Sequence, residues 1–289
     1  SMIKFYREHE AFDAYARFDT QTGLLVTIGA DEFHRCLPPG HRDESTGIRR
    51  IETPAGLVFT GETPATHTRF PRRIYFQITR ACNLSCPMCF IRADKAGANV
   101  PTQAALDTAQ FMGEQGLLEV RLTGGEPTLH PELRAIVEAF QSNHVYVSLA
   151  TNGAWNSRVR DLVCSLENVW VICSIDGNRQ THNRYRTGTF DTIVRNLKAL
   201  KARDPSRRIR LTTVLTKDNQ DQMADLAGIC SEVDAESITV IPMRPQVRTP
   251  AILEKMVTAE EFGRVIEDMI EASERFGVRF TTTLETDHW

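Results

Sequence analysis

From Ile74 onward, short runs of β-branched and aromatic residues alternate with longer amphipathic stretches, a pattern that few architectures accept. Strand-like runs fall at Ile74–Thr79, Glu119–Thr123, Val145–Ala150, Trp170–Ser174, Arg208–Leu215 and Ser237–Pro242, with a seventh candidate at Val278–Thr283. Helical patterns fill the intervals. Thr102–Gln115 starts at a capping Thr102 after Pro101 and stops at Gly116, and Phe190–Arg203 carries Ile193, Leu197 and Leu200 on one face. Pro131–Asn143 and Thr258–Phe276 are similar. Repeated βα units imply a parallel sheet, and six or seven strands fall short of the eight in a closed barrel. The expected fold class is α/β, a partial (β/α)6-type, TIM-like barrel over residues 74–289. Residues 1–73 read as a small β-rich appendage, with strand-like Leu24–Ile28 and Leu57–Thr60 and an exposed loop from Pro38-Pro39-Gly40 to Gly47.

In such barrels the reactive groups come from loops at the carboxyl ends of the strands, and the motifs of this chain fall there. The first loop reads Ala81-Cys82-Asn83-Leu84-Ser85-Cys86-Pro87-Met88-Cys89-Phe90, a CxxxCxxC spacing. Three thiolates can hold three irons of a [4Fe-4S] cube and leave the fourth iron open to a ligand. The alternative is a zinc knuckle, but zinc takes four ligands and no further Cys or His stands at the usual short spacing. Gly124-Gly125-Glu126-Pro127 follows the second strand. Its paired glycines permit close approach of backbone to a ligand, and Glu126 can accept from a protonated amine; a plain strand-to-helix turn is the other reading. Thr151-Asn152-Gly153 follows the third strand and Ser174-Ile175-Asp176-Gly177 the fourth, and both also suit ordinary turns.

In this order and spacing CxxxCxxC, GGEP and SIDG resemble the motifs of radical S-adenosylmethionine (SAM) enzymes, from about Ile74 to Thr283. The resemblance implies a [4Fe-4S] cluster on Cys82, Cys86 and Cys89 whose open iron chelates the amino nitrogen and carboxylate of SAM. One electron then cleaves the sulfonium to methionine and a 5'-deoxyadenosyl radical, which abstracts hydrogen from a substrate. Gly124, Gly125 and Glu126 match the motif that contacts the SAM amino group. Ser174 and Asp176 match the ribose-contacting position, and the Asn152 amide is suited to the ligand's polar edges. Arg186, in Tyr185-Arg186-Thr187-Gly188-Thr189-Phe190, resembles an Arg that precedes the fourth helix in many peptide-modifying members, where a guanidinium suits the SAM carboxylate; a surface ion pair is the alternative. Met88 stands where an aromatic residue near adenine is common, and Met243 is placed to pack on adenine or to be core. Asn219 and Arg244, after the fifth and sixth strands, are further candidates. The glycine-rich adenine motif of some members is not visible in Leu211-Thr212-Thr213-Val214-Leu215. The most similar members carry a cysteine-rich carboxyl-terminal extension with auxiliary clusters. This chain ends at Asp287-His288-Trp289 without one, so it is expected either to be truncated or to work with one cluster.

Composition narrows the partners. A formal net charge of −3 over 289 residues argues against a nucleic-acid surface, and the basic run Arg203–Arg210 reads as a solvated turn. No stretch approaches a membrane span, and the start lacks a signal peptide, with Ser1 before Met2 reading as a cloning scar. The seven cysteines do not form a disulfide framework: Cys36, Cys164, Cys173 and Cys230 are scattered, and Cys164 and Cys173 read as core. A cytoplasmic location follows. The expected function is hydrogen abstraction in the maturation of a peptide or natural product, with an external one-electron donor of the flavodoxin or ferredoxin type. The alternatives are a small metabolite or nucleotide as substrate, or a zinc- or cluster-stabilised binding module without catalysis.

Overall fold

The computed structural model describes residues 71 and 73–282 and, before them, the strands β1 (Ile3–His9), β2 (Ala14–Asp19), β3 (Leu25–Ile28), β4 (Arg49–Thr53) and β5 (Gly56–Thr60). These five form one sheet in the order β3-β2-β1-β5-β4. β1 runs parallel to β5, and the other pairs are antiparallel. Leu24–Ile28 and Leu57–Thr60 thus correspond to β3 and β5. The expected loop from Pro38 to Gly47, and Cys36, lie outside the described residues.

A second, seven-stranded sheet has the order β12-β11-β10-β9-β8-β7-β6. Its strands are β6 (Arg73–Thr79), β7 (Glu119–Gly124), β8 (Tyr146–Thr151), β9 (Val169–Ser174), β10 (Ile209–Leu215), β11 (Ser237–Pro242) and β12 (Arg279–Thr282). The strands stand in sequence order and the sheet does not close, which is the partial barrel that six or seven βα units imply. Helices α1 (Thr102–Glu114), α2 (Leu133–Ser142), α3 (Ser157–Ser165), α4 (Arg179–Tyr185), α5 (Phe190–Arg203), α6 (Met223–Glu232) and α7 (Ala259–Phe276) lie between the strands.

Contacts group the described residues into two compact units. The first joins the segment ending at Tyr75 to Pro101–Arg121 and Arg134–Val147. Its core includes Ala105, Ala109, Leu117, Val120, Ile136 and Phe140, all buried. The second takes Phe76–Val100, Leu122–Leu133 and the chain from Ser148 onward, and holds every candidate residue named above. In it β10 shows the two faces of the sheet. Ile209, Leu211, Thr213 and Leu215 are buried, while Arg210, Thr212 and Val214 are half-buried. The first face belongs to the helix-covered core that βα crossovers create, and the second is the open one.

Several local expectations change. Thr102 is already helical, and Pro101 is the N-cap, its extended backbone leading in without a side-chain bond. The pattern at Pro131–Asn143 becomes helical only at Leu133. Helices α3, α4 and α6 were not anticipated from the sequence, although α3 carries Val159, Leu162 and Val163 on one face. α4 (RQTHNRY) starts where the Asn178 carboxamide accepts from Gln180 N and Thr181 N, and α6 (MADLAGICSE) is apolar nearly all round. The run Arg203–Arg210 is more than a solvated turn: Arg207 is buried beside Asp204, and the Arg208 and Arg210 guanidiniums each lie 4.2 Å from the centre of the Trp170 ring.

Candidate functional site

The cysteine loop leaves β6 and is pinned on both sides by backbone. Arg80 N donates to Ala98 O at 2.9 Å and Cys82 N to Asp94 O at 2.8 Å. From the loop after β7, Gly125 N donates to Thr79 O at 2.9 Å and Glu126 N to Ala81 O at 2.7 Å. This contact explains the paired glycines. A methyl group on Gly124 would stand 2.2 Å from Thr79 O, on a backbone with φ +154°, and one on Gly125 would stand 2.1 Å from Ala81 O. The glycines expected to admit a ligand admit the cysteine loop itself.

Glu126 is fully buried and takes four hydrogen bonds. Its Oε1 accepts from Thr128 N (3.2 Å), Thr128 Oγ1 (2.6 Å) and Thr151 Oγ1 (2.7 Å), and its Oε2 accepts from Asn152 N (2.7 Å). Burial pushes the carboxyl above its usual range against the downward pull of these donors. Oε2 keeps acceptor capacity for one further donor. Thr151 in turn accepts from Trp155 Nε1 at 3.0 Å, and the buried Asn196 carboxamide donates to Gly153 O and Trp155 O. Sequence reasoning missed Asn196; a polar residue on the apolar side of α5 was its only signal.

Cys82 is buried and Cys86 and Cys89 are half-buried. They border one apolar group with Leu84, Ala93, Ile91 and Ala154. Leu84 N donates to Cys82 Sγ at 3.4 Å, Asn152 Nδ2 lies 3.9 Å from the same sulfur, and Asn152 Nδ2 also donates to Asn83 Oδ1 at 2.8 Å. Asn152 therefore joins the cysteine loop. Burial raises the thiols of Cys82 and Cys86, and the nearby Arg186 charge opposes the rise at Cys86. Among the described residues no group of three or more His, Cys, Asp and Glu stands in metal-binding geometry, the three cysteines included. By the chemistry of the donor set, three thiols on one apolar loop with N–H donors to the Cys82 sulfur suit a cube, whereas a zinc site takes a fourth ligand that no Cys or His at short spacing supplies.

Asp176 departs from the expectation of a ribose contact. Its carboxylate is wholly buried and engaged, Oδ1 accepting from Val214 N at 2.8 Å and Oδ2 from Arg186 Nε at 2.5 Å. Arg186 is likewise no surface ion pair. It caps α4 at its carboxyl end and is buried; burial disfavours its charge, but the Asp176 carboxylate and Cys86 outweigh that and raise its pKa. Asn219 spends its carboxamide within its own loop, on Thr216 N and Val214 O. Arg244 is exposed. Met88 and Met243 meet in one cluster with Tyr185 and Val247, against which Cys86 and Val214 pack. Cys173 is core as expected, burial pushing its thiol up to about 12, whereas Cys164 is only half-buried.

Below Val214 on the open face lies a row the sequence did not announce. Ser174, Thr212, Thr239 and Thr281 are cross-strand partners on β9, β10, β11 and β12. Ser174 Oγ is 3.5 Å from Thr212 Oγ1, and Thr239 Oγ1 is 2.9 Å from Thr281 Oγ1. Ser174 is the one member that motif reading found. The others were legible only as hydroxyls in strands expected to be apolar.

Among proteins with similar sequences are the mycofactocin maturase MftC of Mycobacterium tuberculosis, 27% identical over 71% of this chain and 53% of that protein, and the sporulation killing factor maturation protein SkfB of Bacillus subtilis, 29% identical over 55% and 39%. The chain spans about half the length of the curated relatives it matches, 53% for MftC. Similar folds include Streptococcus suis SuiB bound to SAM, with a TM-score of 0.65 at 16% identity over 76% of this chain and 51% of that one. SuiB bound to its precursor peptide SuiA gives a TM-score of 0.71 at 13% identity over 98% and 71%. The model of the Radical SAM superfamily matches residues 76–229, more than half of the chain and the stretch that holds the cysteine loop, Glu126, Asn152 and Arg186, and the protein therefore belongs to the radical SAM superfamily.

Proposed function

We propose that this chain is the SAM-cleaving portion of a peptide maturase. The observation that carries the reading is the closed loop of Cys82, Cys86 and Cys89, tied to Glu126 and Asn152. When bound, the family's [4Fe-4S] cluster supplies the electron that splits SAM into methionine and a 5'-deoxyadenosyl radical. The chain's own residues do the rest. The three thiolates hold the cluster, and the apolar group around Leu84 and Ala93 keeps water from it. Glu126 Oε2 accepts from the SAM ammonium. Arg186, held on Asp176, sets a fixed positive charge beside Cys86 for the SAM carboxylate. Met88 and Met243 part to admit adenine, since thioethers repack at little cost. Ser174 meets the ribose, and Thr212, Thr239 and Thr281 continue as a hydroxyl wall for the substrate.

Peptide maturation is supported by the maturases MftC and SkfB among the similar proteins, and by the peptide-bound SuiB structure, whose match extends over 98% of this chain. In this reading an edge strand of the five-stranded sheet, β3 or β4, takes the precursor as an added strand. Anaerobic reconstitution tests the core of it. The expected result is about four irons per chain and dithionite-dependent 5'-deoxyadenosine. Formation of 5'-deoxyadenosine by a Cys82→Ala variant would remove the cluster assignment. Transfer of deuterium from a labelled precursor peptide into 5'-deoxyadenosine identifies the substrate class.

A further inference from the structure

The cysteine loop also carries exposed residues to which the SAM site assigns no role. Phe90 directly follows Cys89 and is 61% exposed, whereas Leu84 and Met88 of the same loop are buried. Basic residues flank the loop in sequence or bond to its backbone: Arg80, Arg92 and Lys95 are exposed and Arg248 is half-buried. Arg80 Nη2 donates to Ile91 O at 3.4 Å, Arg92 Nε to Val247 O at 3.1 Å, and Arg248 Nη2 to Ala93 O. Backbone bonds from Arg248 N and Thr249 N to Pro87 O hold the segment after β11 against the same loop.

These bonds fix the guanidiniums without neutralising them, because a carbonyl carries no formal charge. Asp94 is the only carboxylate in residues 80–97, and residues 243–250 contain none. The molecule as a whole is acidic at −3, so this patch runs against its overall sign. Arg92 also sits at φ +52°, a left-handed backbone that non-glycine residues seldom adopt. That turn is the one from which its guanidinium reaches Val247 O. An exposed aromatic on a loop that also carries arginines held by backbone carbonyls has the composition of an interface rather than of ordinary surface.

We propose that Phe90, with Arg80, Arg92, Lys95 and Arg248 of the same loop and the segment tied to it, is the docking surface for an acidic one-electron carrier protein that reduces the cluster. The proposal rests on the functional reading above. The carrier gives up one electron and is oxidised by one; the cluster takes up that electron, and no bond or proton is exchanged. Cys89 lies one peptide bond behind Phe90, so a docked carrier would stand on the loop whose thiolates would hold the cluster. A small, charge-steered contact suits a redox partner that must also leave.

The test uses the cluster-loaded chain and a reduced flavodoxin as probe. Cluster bleaching is followed by stopped flow, and binding of the oxidised flavodoxin by calorimetry. Raising salt from about 50 to about 500 mM is expected to slow flavodoxin-driven reduction at least tenfold, as screened steering requires. Lys95→Glu and Arg92→Glu are expected to slow it about tenfold each, and Phe90→Ser to weaken binding, with dithionite-driven reduction and iron content unchanged. Lys95 makes no tie to the loop, so its variant answers the question even where Arg92→Glu loses iron. Wild-type flavodoxin rates in Lys95→Glu and Phe90→Ser, or a salt-independent rate, would overturn the docking assignment. Failure of dithionite to yield 5'-deoxyadenosine in the unsubstituted chain would strike the functional reading instead.

Discussion

His182 holds Asp176 in place through its unprotonated nitrogen. Asp176 N–H donates to His182 Nδ1 at 3.2 Å, so the proton sits on Nε2, which donates to Thr189 Oγ1 at 3.2 Å; that hydroxyl donates to Arg186 O at 2.8 Å. Burial lowers the imidazole pKa from 6.5 to about 4. The unfolded chain therefore binds a proton below about 6.5 that the folded chain refuses until about 4, and stability falls as pH drops through that window. The slope is on the order of 1.4 kcal/mol per pH unit. Urea midpoints measured from pH 7 to pH 4 should show it, and His182→Phe should flatten it. A wild-type midpoint that does not move would contradict the assignment. The ion pair that His182 supports is open to a second check. Asp176→Asn leaves the buried Arg186 charge without its counter-ion and should cost about 3 kcal/mol or more in chemical denaturation, whereas replacing both by apolar residues should recover much of that. Motif reading located Asp176 and Arg186 one by one. Their bond to each other was not legible, because ten residues of turn and helix separate them.

The loop after β7 tests how closely two strand ends must meet. In Gly125→Ala the new methyl group would enter the carbonyl of Ala81, and the bond from Glu126 N to Ala81 O must open. The expected outcome is iron content well below about four per chain after reconstitution, with far-ultraviolet circular dichroism retained. Full iron loading in that variant would show that the contact is dispensable. The seven strands of the large sheet were legible to within a residue or two, since short runs rich in β-branched residues bounded by turn signals mark strands. Helices α5 and α7 were legible too, α7 with its Thr258 and Glu261 capping box. Helix α4 was not, because about two turns held by Asn178 and by burial of His182 and Tyr185 leave no periodic stripe.

Deleting residues 1–73 addresses the molecule as a whole. The expected result is a chain that still forms 5'-deoxyadenosine but no longer binds a precursor peptide by calorimetry; retained peptide affinity would take the amino-terminal sheet out of recognition. The spacing of Cys82, Cys86 and Cys89 and the alternation of strands with helices were enough to point to the family and to give the fold class, because cysteine spacing on a short loop and hydrophobic periodicity are local properties. What the linear order could not contain was the use of each polar group. Glu126 clamps Thr128, Thr151 and Asn152, Asp176 is spent on Arg186, and Ser174 turns out to head a row completed by Thr212, Thr239 and Thr281. A hydrogen bond depends on which strand ends folding brings side by side, and parallel crossovers place those partners tens of residues apart in the chain.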